Sequence, residues 1–144
     1  MRLLFSNNMP KYMRVFAHFA AKEIGLDRLR GDVTIVLKPQ LEGNCFGLCW
    51  GDNREAEVHI ASRQWGMTIS KEDKLKTLAH ELVHAKQYLK RELQASDVDG
   101  YVSRWRGRNL SYDPRNENEM PWEKQAYAVE QPIFDKWYKL TGYK

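Results

Sequence analysis

Apolar residues recur at three- and four-residue steps over residues 9–25, at Tyr12, Met13, Phe16, Phe19, Ala20 and Ile24. That is the period of one face of a helix, and Gly25 supplies a natural stop. The pattern then shortens. Residues 32–38 read DVTIVLK, a β-branched run ended by Pro39, and predict a strand. The stretch LEGNCFGLCWGDN carries strand material around 46–50, with Gly51, Asp52 and Asn53 as a turn. Residues 56–62 alternate, Val58 and Ile60 facing one way and His59 the other. In this order of elements, that third strand is expected at the sheet edge, where an extended peptide can pair with it.

Helical spacing returns at Ser70, an N-cap with Asp73 three residues on, and continues to about Leu93. Leu75, Leu78, Ala79, Leu82, Val83, Ala85 and Leu89 mark a broad buried face, and KQYLKREL at 86–93 reads as helix-surface charge. Residues 96–120 are polar and aromatic, with Gly100, Gly107 and Pro114, and predict a long loop of the kind that is often functional. Pro121 suits the first position of a last helix over 122–140, which Pro132 is expected to kink or split. The sum is a single α+β domain: an N-terminal helix, a small three-stranded sheet, a central helix, a loop and a C-terminal helix.

Composition narrows the class. With 144 residues, 42% hydrophobic and 29% charged, the chain matches an ordinary globular domain with a core. No apolar run approaches the roughly eighteen residues a membrane span needs. The opening MRLLFSNNMP is interrupted too early for a secretory signal, so a cytoplasmic location is expected. Cys45 and Cys49 agree: on one strand face they would lie about 13 Å apart, too far for a disulfide, and they read as small buried hydrophobes. A net charge of +4 permits a nucleic-acid partner without requiring one.

The chemistry lies in HELVH, residues 80–84, in the middle of the central helix. His80 and His84, one turn apart on one face with Cβ atoms roughly 5–6 Å apart, can both reach one cation. Neutral imidazole suits zinc, and two such ligands fix half of its tetrahedron. Glu81 beside them is placed to accept a proton from a water held on the metal, whose pKa zinc lowers to about 7. A third protein ligand is needed. His18, on the first helix, and His59, on the third strand, read as ordinary core or surface histidines. Carboxylates of the last helix are better placed, coming from a separate rigid element. Glu123 and Glu130 share one of its faces; Glu123, in the first turn, is favoured, with Glu130 as the fallback.

HELVHAKQY followed by PWEKQAY resembles the small phage and prophage metallopeptidases of the SprT-like type, within the zincins. The resemblance extends over GLCWGDN and VHIAS, about residues 47–128. It implies a zincin-like domain, one catalytic zinc on His80, His84 and Glu123, Glu81 as base, and a peptide or protein substrate. Two positions depart from the pattern. Gln125 stands where the family has a second acid, and Tyr127 where many zincins have an acid bracing a histidine.

Hydrolysis also needs a donor for the developing oxyanion, for which Tyr101, Tyr112, Arg115 and Tyr127 are candidates. RWRGR interleaves Arg104, Arg106 and Arg108 with Trp105, a pattern that can grip phosphates while the ring stacks on a base; a Trp tucked onto the core is the plainer reading. SprT-like relatives that act on DNA-bound proteins make nucleic-acid association the alternative function.

Overall fold

A computed structural model describes residues 1–95, 102–109 and 118–142. Strand β1 (Arg2–Phe5) leads into helix α1 (Lys11–Glu23), a 3-10 turn and strand β2 (Asp32–Lys38). Strands β3 (Gly47–Gly51) and β4 (Glu55–Ala61) form a hairpin, followed by the short strands β5 (Arg63–Gln64) and β6 (Met67–Thr68). Helix α2 (Lys71–Leu89), strands β7 (Leu93–Ala95), β8 (Val102–Trp105) and β9 (Arg108–Asn109), and helix α3 (Pro121–Thr141) complete the order. The class is α+β.

The main sheet has four strands, not three, in the order β1-β2-β4-β3. The additional strand is RLLF at the N-terminus, paired parallel to β2 with Leu3 opposite Val33. Its four residues carry too little pattern to stand alone; the hydrogen-bonding edge of β2 makes them a strand. The expectation that residues 56–62 form an edge is also corrected. β4 is interior, parallel to β2 on one side and antiparallel to β3 on the other. β3 takes the edge because Asp52 folds the chain back at once: its carboxylate accepts from the backbone N–H of Arg54 (2.7 Å) and Glu55 (3.0 Å).

One face of the sheet is buried. Val33 and Ile35 of β2 and Val58 and Ile60 of β4 have no exposed surface, and they pack with Phe16 of α1, Leu78 and Leu82 of α2 and Phe134 of α3. Helix α1 stops where expected, with Gly25 in the left-handed region at φ 78°. Helix α2 starts at Ser70, whose hydroxyl accepts from the Asp73 N–H at 3.1 Å, a cap worth about 1 kcal/mol. From Leu78 to Ala85 every residue of α2 is buried, so this stretch is enclosed by the sheet and by the other helices.

Three further expectations change. KQYLKREL is not a solvated face: α2 ends at Leu89, and Gln87, Tyr88, Leu89 and Leu93 are buried. The expected loop after α2 contains regular structure, a sheet of order β7-β8-β9. Its second turn is built on Arg106 (φ 51°) and Gly107 (φ 81°), the pair of positive angles that a tight hairpin requires. Helix α3 runs through Pro132 as one element. Pro132 and Ala128 are both exposed, so the Ala128 carbonyl that loses its N–H donor is open to water. Among the described residues, no helix is long and apolar enough to cross a membrane.

Candidate metal centre

Five polar or charged side chains are buried among the described residues: His80, Glu81, His84, Gln87 and Glu123. All belong to the seam where α2 meets α3 and the inner side of β3. Buried polar groups need partners, and here His80, His84, Glu123 and Gln87 find them across that seam.

Three ligand atoms converge. His80 Nε2 lies 3.1 Å from Glu123 Oε1 and 3.2 Å from His84 Nε2, and His84 Nε2 meets the same Glu123 oxygen. His80, His84 and Glu123 form the one described group whose donor atoms all lie within 4.8 Å of one another and could hold a metal ion. A tetrahedral zinc with bonds of 2.0–2.1 Å separates its ligand atoms by about 3.3 Å. The donor set therefore fits zinc in chemistry, and two of its three separations match that spacing, the His84–Glu123 contact being closer. Glu130, the fallback, occupies a different place. Its Oε1 is 3.6 Å from His80 Nδ1, on the side of the ring away from Glu123. There it sits at ion-pair distance from the imidazole.

His84 is braced by a residue that the sequence reading passed over. Gln87 Nε2 donates to the Trp122 carbonyl (3.1 Å) and to Gln125 Oε1 (2.8 Å). A carbonyl only accepts, so the orientation of the Gln87 amide is settled, and its oxygen faces His84 Nδ1 at 2.8 Å. The proton of neutral His84 must then sit on Nδ1, which leaves the Nε2 lone pair for a cation. Gln125 thus has a use of its own: it helps to hold the amide that holds His84. The signal was the spacing, since Gln87 follows His84 by three residues and falls on the same face.

Electrostatics give the centre its demand for positive charge. Burial pulls the His80 imidazolium down, but its hydrogen bond to Glu123, the nearby Glu130 carboxylate and the charges of Glu81 and Glu123 outweigh it, raising it to about 10. His84 is opposed by burial in the same way and raised by Glu123 and Glu81. Burial resists ionisation of Glu123, yet its bonds to His80 and His84 hold it down at about 2. The Cys49 thiol is pushed well up by burial and by the charges of Glu81 and Glu123, which keeps it a neutral packing group beside the site.

A cavity of about 480 Å³ opens onto the centre, lined by Phe46, Gly47, Lys76, Thr77, Glu81 and Tyr127 among others. Glu81 reaches it under β3. A Cβ placed on Gly47 would fall 2.7 Å from Thr77 Cγ2, 3.0 Å from Glu81 Cγ and 3.3 Å from Glu81 Oε1. Strand and helix approach this closely because residue 47 has no side chain. The Tyr127 ring stands edge-on to His80 at 4.6 Å, and its hydroxyl donates to Asn118 Oδ1 at 3.2 Å. Of the oxyanion candidates, Tyr101, Tyr112 and Arg115 lie outside the described residues; Tyr127 lies in the cavity wall.

No protein-family profile and no curated protein matches the sequence. Among solved structures, the chain is similar to a Wss1 mutant from Saccharomyces cerevisiae, with 11% identity, a TM-score of 0.40, and coverage of 92% of this chain and 93% of that one.

The remaining sequence candidates lie elsewhere. His18 is exposed on α1 beside Phe5, with ring centroids 5.7 Å apart. His59 lies on the opposite face of β4 from Val58 and Ile60, 3.3 Å from Glu57 and edge-on to Trp50 at 4.6 Å. Cys45 and Cys49 are half-buried and form no disulfide with one another. Trp105 is buried against Trp122 with ring centroids 6.2 Å apart, which is the tucked arrangement. Arg106 is 2.8 Å from Glu92 and lies over the Trp105 ring, Arg104 donates to Asn109 at 3.1 Å, and Arg108 is exposed.

Proposed function

We propose that this chain is a zinc-dependent metallopeptidase. The observation that carries the reading is the convergence of His80 Nε2, His84 Nε2 and Glu123 Oε1 on one buried point, as a group that could hold a metal ion. Those three residues would hold the ion, leaving one position open. When bound, zinc supplies Lewis acidity, lowering the pKa of a water to about 7 and polarising a carbonyl.

The other roles belong to the chain. Glu81, in the cavity wall, takes the proton from the attacking water and returns it to the amine nitrogen as the C–N bond breaks. Gln87 and Glu130 hold the two imidazoles in orientation. Tyr127, in the cavity wall, would turn its hydroxyl from Asn118 to donate to the oxyanion. A peptide segment is held along the edge of the main sheet. That edge is β3, and Phe46 and Gly47 at its start line the same cavity.

The test combines metal content with hydrolysis. Purified wild type is expected to carry one zinc per chain and to cleave an unfolded protein substrate. His84→Ala and Glu123→Ala should lose the metal, while Glu81→Gln keeps it and loses hydrolysis. Zinc retained in Glu123→Ala would refute the ligand set; full activity in Glu81→Gln would refute the mechanism.

A further inference from the structure

The edge strand that borders the cavity carries an apolar ridge on its outer side that the chemistry above leaves unused. Phe46 is 41%, Leu48 41% and Trp50 43% exposed. Side chains alternate along a strand, so Leu48 and Trp50 stand on the face away from α2, while Gly47 turns toward Thr77 and Glu81. No charged residue interrupts Gly47–Gly51. An apolar, uncharged edge is unusual, because natural edges are commonly blunted with lysine, proline or a bulge.

Hydrogen-bond parity shows what that edge offers. The Ala61 N–H donates to the Phe46 carbonyl at 2.9 Å, and the Asp52 N–H to the Glu55 carbonyl at 2.9 Å. In an antiparallel pair this direction alternates. Leu48 and Trp50 therefore spend their backbone groups on β4, and Gly47, Cys49 and Gly51 turn theirs outward. Among the described residues no strand pairs with them. A strand added antiparallel there would form its non-hydrogen-bonded pairs opposite Leu48 and Trp50. Those are the closer pairs, with Cα atoms about 4.5 Å apart and side chains in contact.

We infer that the β3 ridge selects extended polypeptide segments with large apolar side chains at every second position. Resting on the peptidase reading, this names the substrate class: stretches of strand-forming, alternating sequence that a folded protein hides. At the Phe46 end the ridge is extended by Trp65, 73% exposed, and Met67, 72% exposed, on the β5–β6 hairpin. That hairpin is tied to the approach to β3, Gln64 Nε2 donating to the Asn44 carbonyl (2.6 Å) and the Trp65 N–H to Asn44 Oδ1 (3.3 Å).

The test uses two labelled peptides of one composition, leucine and phenylalanine alternating with serine and threonine in the first and clustered in the second. Binding is read by fluorescence anisotropy on the full-length, zinc-loaded Glu81→Gln protein. The alternating peptide should bind about fivefold more tightly, the gain expected from two apolar cross-strand pairs. Leu48→Thr and Trp50→Thr, which keep strand propensity on an exposed face, should together abolish the preference. Equal binding of the two peptides, or a preference surviving in the double variant, would overturn the inference. Wild type supplies a separate readout. If it cleaves nothing while the preference holds, the ridge stands and the peptidase reading falls. If it cleaves both peptides equally well, the inference alone falls.

Discussion

Gln87 is the most informative residue to perturb, because its three hydrogen bonds divide between the metal centre and the helix seam. It is completely buried, accepting from His84 Nδ1 at 2.8 Å while donating to the Trp122 carbonyl at 3.1 Å and to Gln125 at 2.8 Å. Gln87→Leu removes all three. The loss of an outer partner of a ligating histidine weakens metal binding by roughly 10- to 100-fold, about 1.4–2.7 kcal/mol. The Trp122 carbonyl keeps its helical partner but loses its second donor, which costs the fold about a further 0.5–1.5 kcal/mol. Gln87→Glu separates the two effects. A carboxylate still accepts from His84 Nδ1, so zinc affinity should hold or rise; the donation to Trp122 is lost, so the metal-free protein should still be destabilised. Zinc affinity is measured by competition with a chromogenic chelator, and stability by thermal denaturation of the metal-free protein. Wild-type zinc affinity in Gln87→Leu would refute the bracing role.

Three further outcomes follow. Gly47→Ala places a methyl 2.7 Å from Thr77 Cγ2 and 3.3 Å from Glu81 Oε1; displacing the base should lower kcat by roughly 10- to 100-fold with zinc content unchanged, and adding Thr77→Ser should restore part of the loss. In the metal-free protein, Glu123 is held down at about 2, so its contribution to stability is present above its ordinary range and is lost as pH falls through about 2. His80 is raised to about 10, so its contribution is fully present below its ordinary range and is lost as pH rises through about 10; thermal midpoints of the metal-free protein across pH should decline on both flanks. A protonated His80 at neutral pH also means that zinc must displace a proton, and calorimetry in buffers of different ionisation enthalpy should detect its release.

The ligand-bearing framework was legible because its signals are local. Phe16 and Ala20 mark a helix by spacing alone, β2 coincides with the DVTIVLK run, and HELVH sets two imidazoles and a carboxylate within five residues. Glu123 was legible as a first-turn carboxylate on a second rigid element. What escaped depends on neighbours that one strand does not encode. RLLF has no alternation of its own and becomes β1 through its pairing with β2. β4 has the alternation of a half-buried strand at an edge or in the interior, and only the Asp52 turn decides that β3 lies outside it. Gln87 was lost for another reason: beside Lys86 and Lys90 it looks solvated, and the packing of α3 across α2 buries it. Arg106 and Gly107 do announce a tight turn, but two-residue β9 is too short to pair convincingly on paper.

The seam between α2 and α3 has one more implication, for the order of events. Its closure also uses groups other than the candidate ligands. The Gln87 amide crosses to the Trp122 backbone, Trp122 packs with Tyr88 and Trp105, and Phe134 joins the main core. Small zinc-folded domains rely on the ion to bring distant ligands together, and chelation unfolds them. Here the candidate ligands stand on two helices that also pack through other residues. Chelation is therefore expected to empty the proposed zinc site and leave the helical fold in place, which circular dichroism of the chelated protein checks.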